Sequence, residues 1–422
     1  MGGLRRRTGP VAARPGPAGP DVPARRSRWL RRRWRRGVSV ALAALLVVAA
    51  VSYGRALAAP GTDSLGAKSV EWVRSHGGSG LVAFAEREFY SHRAPPPGGL
   101  PARTHLPDVR ASGPFRSGAG LPPPAALAPL IAVPAVAGEG EWKPVGVPVS
   151  GAPAQYVTFI RPDPVHTGVV ASLAWMDTTL LRGELFAGYQ VPGGGGWAPA
   201  APLTSSEGPL VAAFNSGFRL QDAVESGYYS RGRTAAPIVT GYGSLVFYRD
   251  GRVTVGQWGR DVTFTPDIVS IRQNLPLIVD GGRPVPGLAQ DHFQRWGATL
   301  GNQVYVWRSG IGVTADGALV YAAGDQLSIQ TLALALARAG AERAMELDIN
   351  TDWVDYFYFL PAAGRPAGPQ NAVKLVPAMV SSTSKYFEPS SKDFVALFAD
   401  PAGAAARRAA LAPTGAATPP GG

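Results

Sequence analysis

Residues 308–353 read RSGIGVTADGALVYAAGDQLSIQTLALALARAGAERAMELDINTDW. Asp316-Gly317 falls between two apolar runs and marks a hairpin, because an Asp-Gly turn suits the twist of paired strands. A helix from Ser328 to Ala339 follows: Ser328 is a fitting N-cap, Ala and Leu fill the interior, and Gly340 can end it. Its apolar character on all sides implies burial against a sheet. A short strand, Ala344 to Asp348, comes next. Side chains alternate along a strand, so Glu346 and Asp348 are expected on one face and Met345, Leu347 and Ile349 on the other. An apolar face opposite a doubly acidic one suggests a sheet whose polar side is used.

Outward from this stretch, the same texture runs back to about Glu141. Asp250-Gly251 sits between SLVFYR and RVTVGQW, and Asp280-Gly281-Gly282 follows the buried-looking run LPLIV. The fold class read from this is α+β: a single β-rich mixed-sheet domain with a buried helix, over 141–390. Residues 391–422 read as a mostly disordered C-terminal tail. Before the domain, residues 95–140 read as a Pro-rich linker opened by Pro95-Pro96-Pro97-Gly98-Gly99. Residues 55–94 read as an amphipathic helical segment, broken near Gly77-Gly78.

The formal net charge of +12 resembles a nucleic-acid signature until it is located. Residues 1–36 carry 12 Arg against Asp21 alone, which leaves about +1 for everything else. This basic stretch reads as a disordered cytoplasmic tail, and a nucleic-acid partner is not expected. Gly37 to Gly54 (GVSVALAALLVVAAVSYG) is an uncharged apolar run at the lower limit for crossing a bilayer. Arginines on its N-terminal side predict a single-pass cell-membrane protein, N-terminus cytoplasmic and C-terminal domain extracytoplasmic. Ala56-Leu57-Ala58 resembles a signal-peptidase site, but an uncleaved anchor is favoured because so long a basic region is unusual for a cleaved signal. The chain has 0 Cys, which excludes disulfides, thiolate metal sites and a Cys nucleophile.

Several residues are candidates for chemistry, each with a plainer alternative. Asn215, in AFNSGF after GPLVAAF, can aim an amide at a ligand oxygen or simply make an Asn/Gly turn. Arg231 and Arg233 are either exposed loop arginines or phosphate ligands. Arg308 lies in an apolar strand, where a buried guanidinium needs an anion, from a salt bridge or from a substrate. Asp348 either caps a loop or does chemistry. Asp352 and Asp355 stand beside Trp353, Tyr356, Phe357 and Tyr358, a mixture that suits a sugar site or an aromatic core edge. Asp348, Asp352 and Asp355 could also hold a hard cation such as Ca²⁺. Of the five His, His292 alone lies near the candidate region, and none shows metal-ligand spacing. No Walker loop, nucleophile elbow or zinc-protease motif is present, and no cofactor or metal is expected.

Taken together these segments resemble the phosphodiester glycosidase family. The family's Asn-Gly-Gly-Phe-like segment is matched by Asn215-Ser216-Gly217-Phe218. Its Arg-containing segment with an Asp-Gly turn is matched by Arg308-Ser309-Gly310-Ile311-Gly312 and Asp316-Gly317, and its Leu-Asp segment by Leu347-Asp348. The chain departs from the pattern after Asp348, where consecutive glycines are replaced by Ile349-Asn350-Thr351-Asp352-Trp353. This departure implies a differently shaped subsite, with side-chain contacts from Asn350 and Asp352 in place of backbone ones. The resemblance implies an extracytoplasmic hydrolase that cleaves a glycosyl phosphodiester of the envelope or of secreted glycopolymers. It implies Asp348 as base or nucleophile, Glu346 or Asp352 as second acid, Arg308 with Arg231 or Arg233 on phosphate, and Asn215 on a sugar hydroxyl or phosphate oxygen; Asn350, Trp353 and His292 are the further substrate-binding candidates. The competing expectations are a non-catalytic phosphoglycan-binding module of the same fold and a structural tether.

Overall fold

The structure is a computed structural model that describes residues 24–78, 80, 82, 94–116, 120–220, 226–290, 295–296, 304–403 and 406–407. It divides into two compact units, Met1–Ala58 and Ala59–Gly422.

In the first unit a helix α1 runs over Ala24–Leu57. Its part from Trp34 to Leu57 is long and apolar enough to cross a membrane. The helix begins well before Gly37, so the arginines of 24–36, read as disordered, continue the helical run; arginine is a good helix former.

The second unit opens with helix α2 (Leu65–Val73), capped by Ser64, whose Oγ accepts from the Ala67 amide at 3.0 Å. The helical path breaks at Gly77, where φ is 81°. The remainder is built from three sheets. The largest has the order β1 (Lys143–Pro144), β2 (Gln155–Ile160), β3 (Ala171–Met176), β14 (Leu319–Leu327), β13 (Val306–Thr314), β15 (Ala341–Glu346), β11 (Val279–Asp280), β12 (Arg283–Pro284). The second has the order β7 (Arg233–Ala236), β6 (Tyr228–Ser230), β10 (Ile268–Gln273), β8 (Gly243–Tyr248), β9 (Val253–Gln257). The third has the order β17 (Ala372–Lys374), β16 (Tyr356–Phe359), β5 (Leu210–Asn215), β18 (Phe394–Ala399), β4 (Leu181–Phe186). The ladders between these strands are antiparallel, and parallel contacts occur as isolated bridges such as Ala187 with Ala200.

Period-two alternation sorts the core. In β14, Leu319, Tyr321 and Ala323 enter the cluster shared by the three sheets, while Val320 and Ala322 face the other way. Against that outer face lies helix α3 (Ile329–Arg338), through Leu332, Ala333 and Leu336. This is the buried helix that the sequence predicts, with Ser328 as its cap.

Two boundaries move outward. The reading ended the domain at 390, yet β18 lies beyond it, paired with β5 on one side and β4 on the other. Six consecutive residues, FVALFA, are apolar on both faces because both faces are covered. Part of the expected linker also packs on the domain. The buried Glu139 carboxylate accepts from Arg161 at 2.7 Å, and the Tyr358 hydroxyl donates to Asp108 O at 2.8 Å.

Candidate functional site

Strand β5 carries Asn215 to its end, where the side chain is buried and fully engaged. Its Nδ2 donates to Ser309 Oγ at 3.0 Å, and its Oδ1 accepts from Tyr321 Oη at 2.8 Å and from the Asp355 amide at 3.2 Å. Ser309 in turn donates to Asp348 O at 2.7 Å. Asn215 therefore ties three strands together and fixes the backbone that presents Asp348.

Glu346 and Asp348 were expected on one face, and they are not. At the end of β15 the Ser309 carbonyl accepts from the Leu347 amide at 2.8 Å while the Ser309 amide donates to Asp348 O at 3.1 Å. Two residues thus oppose one, the pattern of a β-bulge, which re-aims the side chains that follow. Glu346 stays under the sheet and meets Arg308 at 2.6 Å, both fully buried. Arg308 also donates to Leu327 O at 3.0 Å. Arg308 is thus the salt-bridge alternative of its reading: its guanidinium is spent on the fold, and neither it nor Glu346 lines the cleft described below.

Asp348 turns instead toward a small cleft lined by Asn215, Ser216, Asp348, Trp353, Lys385, Lys392 and their neighbours, with room for little more than a water molecule. Its Oδ1 accepts from the Asn350 amide at 3.0 Å and its Oδ2 from Lys392 Nζ at 2.8 Å. Asn350 repeats the turn, its Oδ1 accepting from the Asp352 amide at 2.9 Å, so its side chain holds the loop. Trp353 forms the floor: Lys392 Nζ stands 4.6 Å from its ring centre and Lys385 Nζ 4.8 Å, both at cation–π distance.

Behind Trp353, Asp355 accepts from Lys385, Tyr386 and Ser381 in one buried cluster. Burial and the Asp355 charge push the Tyr386 hydroxyl well above its ordinary range, which keeps it a neutral donor. Asp393 pairs with Arg272 at 2.7 Å, both side chains fully buried. Two polar atoms of the cleft lining, Ser216 Oγ and Asp393 Oδ1, are buried without a hydrogen-bond partner among the described residues. Such atoms are costly in a dry interior and are accounted for when a ligand or water enters.

Asp352 is half-buried at the edge of this group. Burial first, then the nearby Asp63 and Asp348 charges, hold its carboxyl above the ordinary range, while Lys385 and Lys392 pull the other way. Arg231 and Arg233 lie on the β6–β7 hairpin and do not line the cleft. Arg231 stands 3.7 Å from Glu184, and the Arg233 guanidinium sits 3.9 Å over Trp197. His292 lies outside the described residues. Among the described residues no group of three or more His, Cys, Asp or Glu is disposed to hold a metal ion; Asp348 and Asp355 direct oxygens to lysines instead.

Sequence reasoning passed over Lys385, Lys392, Asp393 and Arg272. Residues 381–393 look like a polar exit from the domain. The signal is Lys392-Asp393 placed directly against FVALFA, since a run of that kind must be covered and draws its flanking charges in with it.

No family model matches the chain, and no curated protein matches it. Among solved structures it is similar to the catalytic domain of zebrafish N-acetylglucosamine-1-phosphodiester alpha-N-acetylglucosaminidase, auto-inhibited by its pro-peptide. The identity is 15%, covering 60% of this chain and 85% of that one, with a TM-score of 0.38. It is also similar to a hypothetical protein from Synechocystis at 11% identity, covering 62% of this chain and 65% of that one, with a TM-score of 0.31. Both likenesses are distant.

Proposed function

We propose that the protein is a membrane-tethered hydrolase of glycosyl phosphodiesters, with Asp348 as its central carboxylate. The observation that carries this reading is a carboxylate 2.8 Å from a lysine ammonium over an indole face, in a cleft that also holds unpartnered Ser216 and Asp393 oxygens. In the reaction, water adds its hydroxyl to the anomeric carbon and the C–O bond to phosphate breaks. The phosphomonoester leaves with the bridging oxygen. The cleft has room for that water, so on this reading the sugar phosphodiester lies across its mouth, and Asp348 serves as base for the water or as the first nucleophile, the two roles a carboxylate takes at an anomeric centre. Lys385 and Lys392 take the phosphate role that the sequence gives to arginines, because charge at the leaving group is what such a site must stabilise. Asp352, its carboxyl held above the ordinary range by burial, is suited to hand a proton to the leaving oxygen. The order Asn215, Arg308, Asp348 along the chain agrees with the family resemblance, although Arg308 supports the sheet rather than the substrate.

A second reading, a phosphoglycan-binding module, is favoured by one observation: both lysines are already paired with carboxylates, Lys392 with Asp348 and Lys385 with Asp355. The experiment that separates them offers sugar-1-phosphodiesters to the detergent-solubilised chain and to its Asp348→Asn variant. On the hydrolase reading sugar is released, and the variant loses about 10²–10⁴-fold in rate, the usual weight of a base or nucleophile, while its melting curve stays cooperative. Full activity in Asp348→Asn would remove Asp348 from the chemistry. Binding without release by either protein would establish the module.

A further inference from the structure

The cleft is held to the segment that directly follows helix α1. Asp63 Oδ2 accepts from Ser391 Oγ at 2.6 Å, and Ser391 lies between the cleft-lining Ser390 and Lys392. Gly61, at φ +103°, packs so closely that a Cβ there would stand 2.2 Å from Pro389 O. Tyr189 clasps both sides: its hydroxyl donates to Pro60 O at 3.3 Å and its amide to Ser390 O at 2.9 Å. Further along, Glu71 of α2 pairs with Arg219. Asp63 is also one of the charges that hold the Asp352 carboxyl up, so its influence reaches the site itself.

These contacts set a length. Helix α1 ends at Leu57, six residues before Asp63. A fully extended chain covers at most ~3.6 Å per residue, so the covalent link keeps Asp63 within about 22 Å of the helix end, however the helix is disposed. The contacts shorten the leash, and a short leash has an effect only if the cleft is to stay at the bilayer.

We infer that the cleft works at the membrane surface and takes a substrate held in that membrane, an amphiphile whose sugar-phosphodiester headgroup stands just outside the bilayer. The inference rests on the hydrolase reading of the cleft and on α1 as a retained anchor. A soluble polymer would gain nothing from a six-residue tether. For a membrane-held headgroup, confinement of both partners to one surface raises the effective concentration.

The absence of native Cys makes the test clean, since one introduced thiol takes a single label. The full chain is reconstituted into phosphatidylcholine vesicles with acceptor-labelled headgroups. A donor dye is placed at Glu388→Cys, exposed beside Pro389, or at Asp316→Cys, at the far end of β13. Energy transfer is expected to be clearly stronger from position 388 than from 316, and to fall toward the 316 level when Gly61→Ala releases the segment. The same vesicles then receive one headgroup in two forms, on a lipid and on a short soluble ester. At least ~10-fold faster hydrolysis of the lipid form is expected, as effective-concentration gains of this kind are commonly larger. Equal transfer from the two positions, or equal rates on the two forms, overturns the inference. Hydrolysis of neither form, with the transfer difference intact, overturns the hydrolase reading while upholding the placement of the cleft.

Discussion

Asp352 shows how one side chain records its surroundings. Burial and the like charges of Asp63 and Asp348 disfavour its ionised form more strongly than Lys385 and Lys392 favour it. The sign of the linkage follows. A carboxyl whose folded-state pKa lies above its unfolded value binds its proton more tightly when folded, so ionisation costs stability. That cost is absent below the ordinary value of 3.8 and grows as pH rises through the raised folded value. Replacing Asp352→Asn removes the ionisable group. The variant is expected to gain stability relative to the parent as pH climbs from about 3 to 7, because the parent alone carries the cost of ionising a buried carboxyl. Denaturant unfolding at both pH values measures it, and a pH-independent difference between the two proteins would sink the argument. Asp348, four residues earlier, shows what the sequence hides. Strand alternation alone joins it to Glu346, and only the hydrogen bonding around Ser309 separates them.

At the scale of elements, the hairpin β13–β14 and helix α3 were legible because each carries a local signal: an Asp-Gly turn, a Ser cap, a stopping Gly. What joins them was less visible. Gly310 lies in β13 opposite Glu346, and a Cβ there would stand 2.9 Å from Leu336 Cδ1 and 3.1 Å from Met345 O. The glycine lets α3 settle close to the sheet, and that closeness buries Arg308 with Glu346. Gly310→Ala is expected to lower stability by about 1–3 kcal/mol through overpacking. Because α3 lies on the face away from the cleft, turnover per folded molecule should be retained. Unchanged stability would mean that Leu336 moves aside freely. The far wall of the cleft was illegible for a related reason. Lys385, Lys392 and Asp393 owe their position to pairing between β18 and strands about 180 and 210 residues away in sequence, and nothing local announces such a partner.

Across the whole molecule, the cleft is assembled from distant parts of the chain: Asn215 from the end of β5, Asp348 from the bulge after β15, the lysines from the approach to β18, with Asp63 bound at the rim. The C-terminal strand is what draws them together, since β18 fills the gap between β5 and β4 in the third sheet. Its Phe394, Val395, Leu397 and Phe398 are buried. At about 1.5–3 kcal/mol each, these side chains contribute roughly 6–12 kcal/mol, comparable with the whole net stability of a domain. A chain stopped after Ser390, where the sequence alone would place the domain end, leaves two strand edges unpaired and should fail to melt cooperatively. A chain stopped after Arg407 keeps β18 and the Arg407 guanidinium, which donates to Thr178 O at 2.9 Å and to Asp400 at 2.7 Å. It should melt within a few degrees of the full protein. Near-UV circular dichroism on heating distinguishes the two, and a cooperative transition in the shorter chain would show that the third sheet can form without β18.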